Sequence, residues 1–256
     1  MATKTDSRKG RFYNIEGKDY PSVTTILSAI GKPALVAWSA NVERELVLKV
    51  SNELYQDAPA EKMSPTAWQT TMLARLGKTK AHTREMAKAS EIGTQAHALI
   101  EWTLRAEMMQ DAGPSPKISD KAMWAFSSFE KWRKSVHLKP IFIESVVWNT
   151  QYGYAGTMDL LAEVNGVVTV LDWKTGKAVY PEAFLQNVAY RKAIRSMGHA
   201  DPQAGLILRL PKTETDPDFE AVEVVASEEY LFGVFLSTME LWEWMQFEEE
   251  KRAAKN

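Results

Sequence analysis

Two aspartates and a lysine lie at a spacing that a β-hairpin would convert into a cation site. Segments 156–164 (GTMDLLAEV) and 167–174 (VVTVLDWK) flank Asn165-Gly166. A two-residue type I′ turn needs positive φ at both central positions, which Asn and Gly adopt most readily. With that loop Val164 faces Val167, and the same register sets Asp159 opposite Asp172, with Cβ atoms about 4.5–5.5 Å apart. Lys174, two residues beyond Asp172, points to the same face. A four-residue loop keeps this pairing, and a three-residue loop with a bulge shifts it.

The chemistry follows from charge. Two carboxylates ~5 Å apart repel by about 3 kcal/mol at an effective dielectric near 20. Leu160, Ala162 and Val164 line one face of the hairpin, and Leu161, Val168 and Val170 line the other with the aspartates. Both faces being apolar is the pattern of central strands covered on both sides. A divalent cation offsets the repulsion, and oxygen ligands suit Mg²⁺ or Mn²⁺. The competing reading is a solvated pair at a sheet end, with Lys174 as its salt-bridge partner.

Other elements must hold this hairpin. RFYNIEGKDYPSV (11–23) alternates around Glu16-Gly17 and predicts a small hairpin. From Ser22 to about Gly77 the pattern is helical, in pieces broken by Pro33, Pro59 and Pro65. A long helix is expected from near Thr83 to Met109, and another from the cap Ser119 through Trp124, Phe126, Phe129 and Trp132. At Pro140 the texture changes. IFIESVVW (141–148) reads as a strand, PEAFLQNVAYRKAI (181–194) as a helix with Pro181 in its first turn, AGLILRL (204–210) and FEAVEVV (219–225) as strands, and about 227–250 as an acidic amphipathic helix. The order, a helical N-terminal half and then βββ-α-β-β-α, predicts an α/β fold. Residues 1–139 form the hairpin and helical region and 140–256 the core with its acidic C-terminal helix, together one compact domain.

Composition narrows the function classes. The 256 residues contain no cysteine, which removes disulfides and thiolate metal sites. No apolar run reaches the length of a membrane span, and no signal or transit peptide is evident at the start, so a cytoplasmic location is expected. The net charge is −2, with twelve Asp or Glu and no Lys or Arg in 214–250 and three positive residues in 251–256, so residues 1–213 carry +7. A basic body suits a phosphate-bearing partner; a solvated surface with a segregated tail is the alternative. Thr175-Gly176-Lys177 is not a phosphate loop, since Leu171 stands where the first Gly is required and Ala178 where Ser or Thr is. The histidines at 82, 97, 137 and 199 have no zinc spacing.

GTMD, DWK thirteen residues later, and Gln186 with Tyr190 in a Q-x-x-x-Y helix resemble the RecB-like branch of the PD-(D/E)xK nucleases. GTQAHALIE (93–101) is similar to that branch's upstream histidine motif. YPSVTTIL (20–27), followed by Trp38, is similar to the N-termini of phage and mitochondrial genome-maintenance exonucleases. The resemblance extends from about residue 12 to 195 and implies a restriction-endonuclease-like mixed sheet flanked by helices. It implies Asp159, Asp172, His97 and the Trp173 carbonyl as metal ligands. It also implies that Lys174 holds the attacking water or steadies charge on the phosphate. Gln186 and Tyr190, one helical turn apart, share a face that could meet the DNA backbone or the nucleophile.

The function implied is a Mg²⁺- or Mn²⁺-dependent DNA exonuclease of phage or bacterial recombination or repair. A structure-selective endonuclease or resolvase, and an inactive nuclease-fold scaffold that binds DNA, are the alternatives; the D…DxK set is whole. An annealing protein or helicase is the expected partner of the acidic helix. Glu101 is either a partner of a metal ligand or one end of a helix salt bridge, and Glu144 either a third acidic group or solvent-exposed. Ser22, Thr24 and Thr25 suit a helix cap, and Trp124, Trp132, Trp242 and Trp244 suit a core.

Overall fold

The computed structural model describes residues 2–7, 9–57 and 63–255. These gather into two compact units, one of residues up to Ile30 together with those from Ile92 on, the other spanning Gly31–Glu91. In chain order the elements are β1 (Thr3–Ser7), β2 (Gly10–Ile15), β3 (Lys18–Pro21), α1 (Val23–Leu27), α2 (Pro33–Asp57), α3 (Pro65–Leu76), α4 (Ala81–Glu107) and α5 (Asp120–Lys134), then β4 (Leu138–Asn149), β5 (Tyr154–Val164), β6 (Val167–Thr175), α6 (Pro181–Ser196), β7 (Ala204–Leu210), β8 (Glu220–Glu223) and α7 (Glu228–Ala253).

The local signals act where the sequence places them. Ser22 and Ser119 cap α1 and α5 by accepting from the backbone N–H of Thr25 and Ala122. Pro33 and Pro65 begin α2 and α3, because a missing N–H costs nothing in a first turn. Pro59 lies outside the described residues. The Glu16-Gly17 hairpin joins β2 to β3, and an exposed strand that alternation did not announce, β1, pairs along its other side. In the smaller unit α2, α3 and the start of α4 are tied by Arg75 to Asp57 and by His82 Nδ1 to Glu43, both at 2.8 Å. Among the described residues no helix is long and apolar enough to cross a membrane.

The larger unit is built on a five-stranded mixed sheet of order β4-β5-β6-β7-β8, as expected for a restriction-endonuclease-like fold. The β6–β7 pair is parallel, joined by the crossover helix α6, and the other neighbours are antiparallel. On one face α1, α6 and α7 pack over Val147, Met158, Leu161 and Val170. On the other, α4 and α5 pack over Ile143, Leu160, Ala162, Leu171 and Trp173. Burial on both faces explains the near-continuous apolar runs in β5 and β6.

Alternation inverts at one place. Leu160 and Ala162 face α4 and α5, whereas Met158, of the same parity, faces α6 and α7. On the neighbouring strand Ile143 and Val147 divide in the same way. The inversion falls between two cross-strand pairs, Ile143↔Leu160 and Ser145↔Met158. Between them stand Glu144 and Asp159, and Glu144 has φ +42°, a left-handed conformation.

Candidate metal centre

Asn165 and Gly166 have φ +49° and +86°, so the turn is of the primed type expected. The register also follows: Val164 pairs with Val167, and the ladder continues to Leu160↔Leu171. There it stops, one pair short of the two aspartates. Past that point the Trp173 backbone N–H donates to Asp159 Oδ2 at 2.8 Å, so a side chain takes up the hydrogen bond that the ladder leaves open.

Trp173 fixes this geometry from its other end. Its ring is buried against Phe129 and Trp132, at centroid distances of 5.2 and 6.2 Å. The backbone is thereby pinned with both polar groups in the site: the N–H on Asp159, and the carbonyl oxygen 3.2 Å from His97 Nε2. His97 comes from α4, on the opposite side of the sheet from α6. It reaches the carboxylates where β5 and β6 cease to pair. Its Nδ1 lies 3.8 Å from Asp159 Oδ2 and 3.9 Å from Glu144 Oε1. His97, Glu144 and Asp159 each offer a ligand atom within 4.8 Å of the others.

The remaining residues meet on the α6 side. Asp172 is fully buried, and its Oδ1 has no hydrogen-bond partner. The other oxygen, Oδ2, has the Lys174 ammonium against it at 2.5 Å. Lys174 donates to Gln186 Oε1 at 3.0 Å, and Gln186 Nε2 donates to the Tyr190 hydroxyl at 3.1 Å. Gln186 and Tyr190 are both buried, so the face they share meets Lys174. Gly156 completes this side: a Cβ there would lie 2.6 Å from Tyr190 Cε1, so the first residue of GTMD makes room for the last residue of Q-x-x-x-Y.

The electrostatics are those of a site short of positive charge. Burial pushes Asp172 up to about 6; the Lys174 charge opposes this and the Asp159 charge adds to it. Burial raises Asp159 as well, against the pull of His97 and Lys174. His97 also rises, for a different reason. Burial alone would lower it, but Asp159 and Glu144 more than offset that, and its pKa rises to about 9. The imidazolium thus sits among carboxylates where a metal ion would otherwise balance them.

A divalent cation fits the residues present. Asp172 Oδ2 is met by Lys174, but its buried Oδ1 has no donor, a costly arrangement unless a cation takes it. His97, Asp159 and Glu144 supply mixed nitrogen and oxygen donors within 4.8 Å of one another, with the Trp173 carbonyl beside His97 Nε2.

Two residues left open in the sequence are placed by the structure. Glu101 forms a helix salt bridge with Arg105 at 2.8 Å, and Arg105 Nη2 donates to the Ile143 carbonyl. Glu144 turns into the site. Its position was within reach of the turn arithmetic, since Asn149 pairs with Tyr154 across a loop that ends at Gly153, φ +84°. Counting back from that pair sets Glu144 opposite Asp159. Ser22, Thr24 and Thr25 form a hydroxyl cluster at the α1 cap, and Trp132 and Trp242 are core, whereas Trp244 is exposed.

A family model for the PD-(D/E)XK nuclease superfamily matches residues 62–253, most of the chain, and the chain belongs to that superfamily. Nucleases of this superfamily use divalent metals, in keeping with the donor set described above. No curated protein matches the chain closely enough to count as a relative.

Proposed function

We propose that the chain is a Mg²⁺- or Mn²⁺-dependent DNA exonuclease, related to the RecB-like branch and its phage and mitochondrial exonucleases, and acting in recombination or repair. The observation that carries the nuclease reading is Asp172: a fully buried carboxylate with one oxygen on Lys174 and the other without a donor, coupled electrostatically to Asp159 and His97. A divalent cation bound there acidifies water and offsets charge on a phosphodiester.

The protein's own groups supply the rest. Asp159, held by the Trp173 N–H, and Asp172 are the carboxylate ligands, with His97 and the Trp173 carbonyl beside them. Lys174 faces the scissile phosphate as a fixed positive charge, its ammonium placed by Asp172 on one side and Gln186 on the other. Gln186 and Tyr190 act by holding Lys174. The +7 charge of residues 1–213 favours a polyanionic substrate. The choice of exonuclease rests on the resemblance of residues 12–195.

The test uses end-labelled linear duplex, closed circular duplex and single-stranded DNA with Mn²⁺ or Mg²⁺. Loss of linear but not closed circular DNA supports the exonuclease reading, and cleavage of the circle overturns it in favour of an endonuclease. Lys174→Ala should abolish cleavage while DNA affinity stays within about threefold, since many phosphate contacts share the binding. Wild-type turnover by Lys174→Ala overturns the site.

A further inference from the structure

His97 presents two nitrogens to different surroundings, Nε2 to the Trp173 carbonyl and Nδ1 to the Asp159 and Glu144 carboxylates. Nε2 lies 3.2 Å from the Trp173 carbonyl oxygen. Two donor atoms bound at right angles to one cation, each about 2.0–2.1 Å from it, are roughly 3 Å apart. Nε2 and the carbonyl share a hydrogen bond in the metal-free fold, and their separation is also that of neighbouring ligands once the proton leaves. With the Nε2 lone pair on the cation, the ring proton must be on Nδ1. Asp159 Oδ2 lies 3.8 Å from Nδ1 but already accepts the Trp173 N–H. The other carboxylate on that side is Glu144, with Oε1 at 3.9 Å.

The backbone at Glu144 is built to deliver that carboxylate. Its neighbours Ile143 and Ser145 both pair with β5, yet Glu144 itself takes φ +42°, which L side chains rarely adopt. The Ile143 carbonyl just before it accepts from Arg105 Nη2 and from Ser145 Oγ, each at 3.1 Å. Arg105 lies on α4, two turns beyond His97. One helix thus carries the histidine and braces the strand that carries its partner.

We propose that Glu144 is a positioning residue for His97: its carboxylate accepts from Nδ1–H and so directs the Nε2 lone pair at the metal. A side-chain torsion closes the 3.9 Å gap with the backbone unmoved. This rests on the reading of His97 as a ligand. In that role Glu144 does not itself bind the cation.

The test is calorimetric titration of Mn²⁺ into the metal-free full-length chain, with no nuclease assay. Glu144→Ala should weaken binding about 10–100-fold, the usual cost of losing such a partner. Glu144→Gln retains an acceptor oxygen for Nδ1–H and should stay within about threefold of wild type. In a His97→Ala background, Glu144→Ala should cost no more than about threefold further, because its effect passes through the ring. Glu144→Gly relieves the left-handed backbone and should melt no lower than wild type while losing as much affinity as Glu144→Ala, which separates binding from folding. Three results overturn the proposal: unchanged affinity in Glu144→Ala, a loss in Glu144→Gln equal to that in Glu144→Ala, or additive losses with His97→Ala. Absence of Mn²⁺ binding by wild type instead overturns the metal-site reading beneath it.

Discussion

Gln186 accepts a hydrogen bond from the Lys174 ammonium at 3.0 Å, joining the crossover helix to the strand that carries Asp172. Lys174 has rotatable donors on a flexible stem, and this contact selects one direction for them. Gln186→Leu keeps the volume and removes the acceptor. The expected result is a fall in kcat on the order of tenfold with KM unchanged, since a misplaced charge is felt in the transition state. A raised KM with kcat intact would mean that Gln186 touches substrate directly.

Asp172→Asn should stabilise the metal-free protein. Burial pushes the Asp172 carboxyl up to about 6 from its ordinary 3.8, so the fold favours its protonated form. The associated stability is fully present below 3.8 and lost as pH rises through about 6. Above pH 6 the metal-free variant should therefore exceed wild type by on the order of 1 kcal/mol, a margin reduced by the lost attraction to Lys174. Thermal melts with a chelator check this, and added Mn²⁺ should raise the wild-type midpoint far more than that of the variant.

His97 makes metal binding pH-dependent. Its pKa of about 9 exceeds the ordinary 6.5, so the metal-free fold gains stability that is full below 6.5 and disappears as pH rises through about 9. A metal must displace that proton. Apparent Mn²⁺ affinity should then rise by up to about tenfold per pH unit between 6.5 and 9, with proton release on binding. Calorimetry in buffers of different ionisation enthalpy measures that release, and His97→Ala should flatten the slope in this range.

Gly156→Ala should destabilise the protein by about 1–3 kcal/mol, as overpacking does. The new methyl group would lie 2.6 Å from Cε1 of the buried Tyr190 ring. Urea denaturation gives the loss directly. Shortening the neighbour in the double variant Gly156→Ala, Tyr190→Leu should recover part of it relative to Tyr190→Leu alone, which identifies the ring as the source.

How far the site was legible depends on which interactions are local. Asn165-Gly166 determines its register through backbone dihedrals alone, so the pairing from Val164↔Val167 to Leu160↔Leu171 could be counted from the residues. Caps and prolines placed α1, α3, α5 and α6 for the same reason. The end of the ladder could not be counted, because it depends on Trp173 being anchored by α5, a contact between segments forty residues apart. Glu144 escaped period-two reasoning because β4 shifts register between Pro140 and Phe142 and then inverts its faces at Glu144 itself. Gln186 and Tyr190 were visible as one helical face, but that the face is buried against Lys174 is tertiary information.

The contacts around Asp172 also set an order of events during synthesis. A chain emerging from its N-terminus presents His97 first, then Glu144 and Asp159, then Asp172 and Lys174, and last Gln186 and Tyr190. Until residue 190 is available, nothing on α6 orients the lysine or fills the space beside Gly156. β7, which pairs with β6 along Asp172 to Lys174, comes later still. Nascent or truncated chains would therefore carry the acidic residues without a working arrangement of them. A cell making this protein would be spared a destructive activity near its nucleic acids until α6 and β7 had both been made.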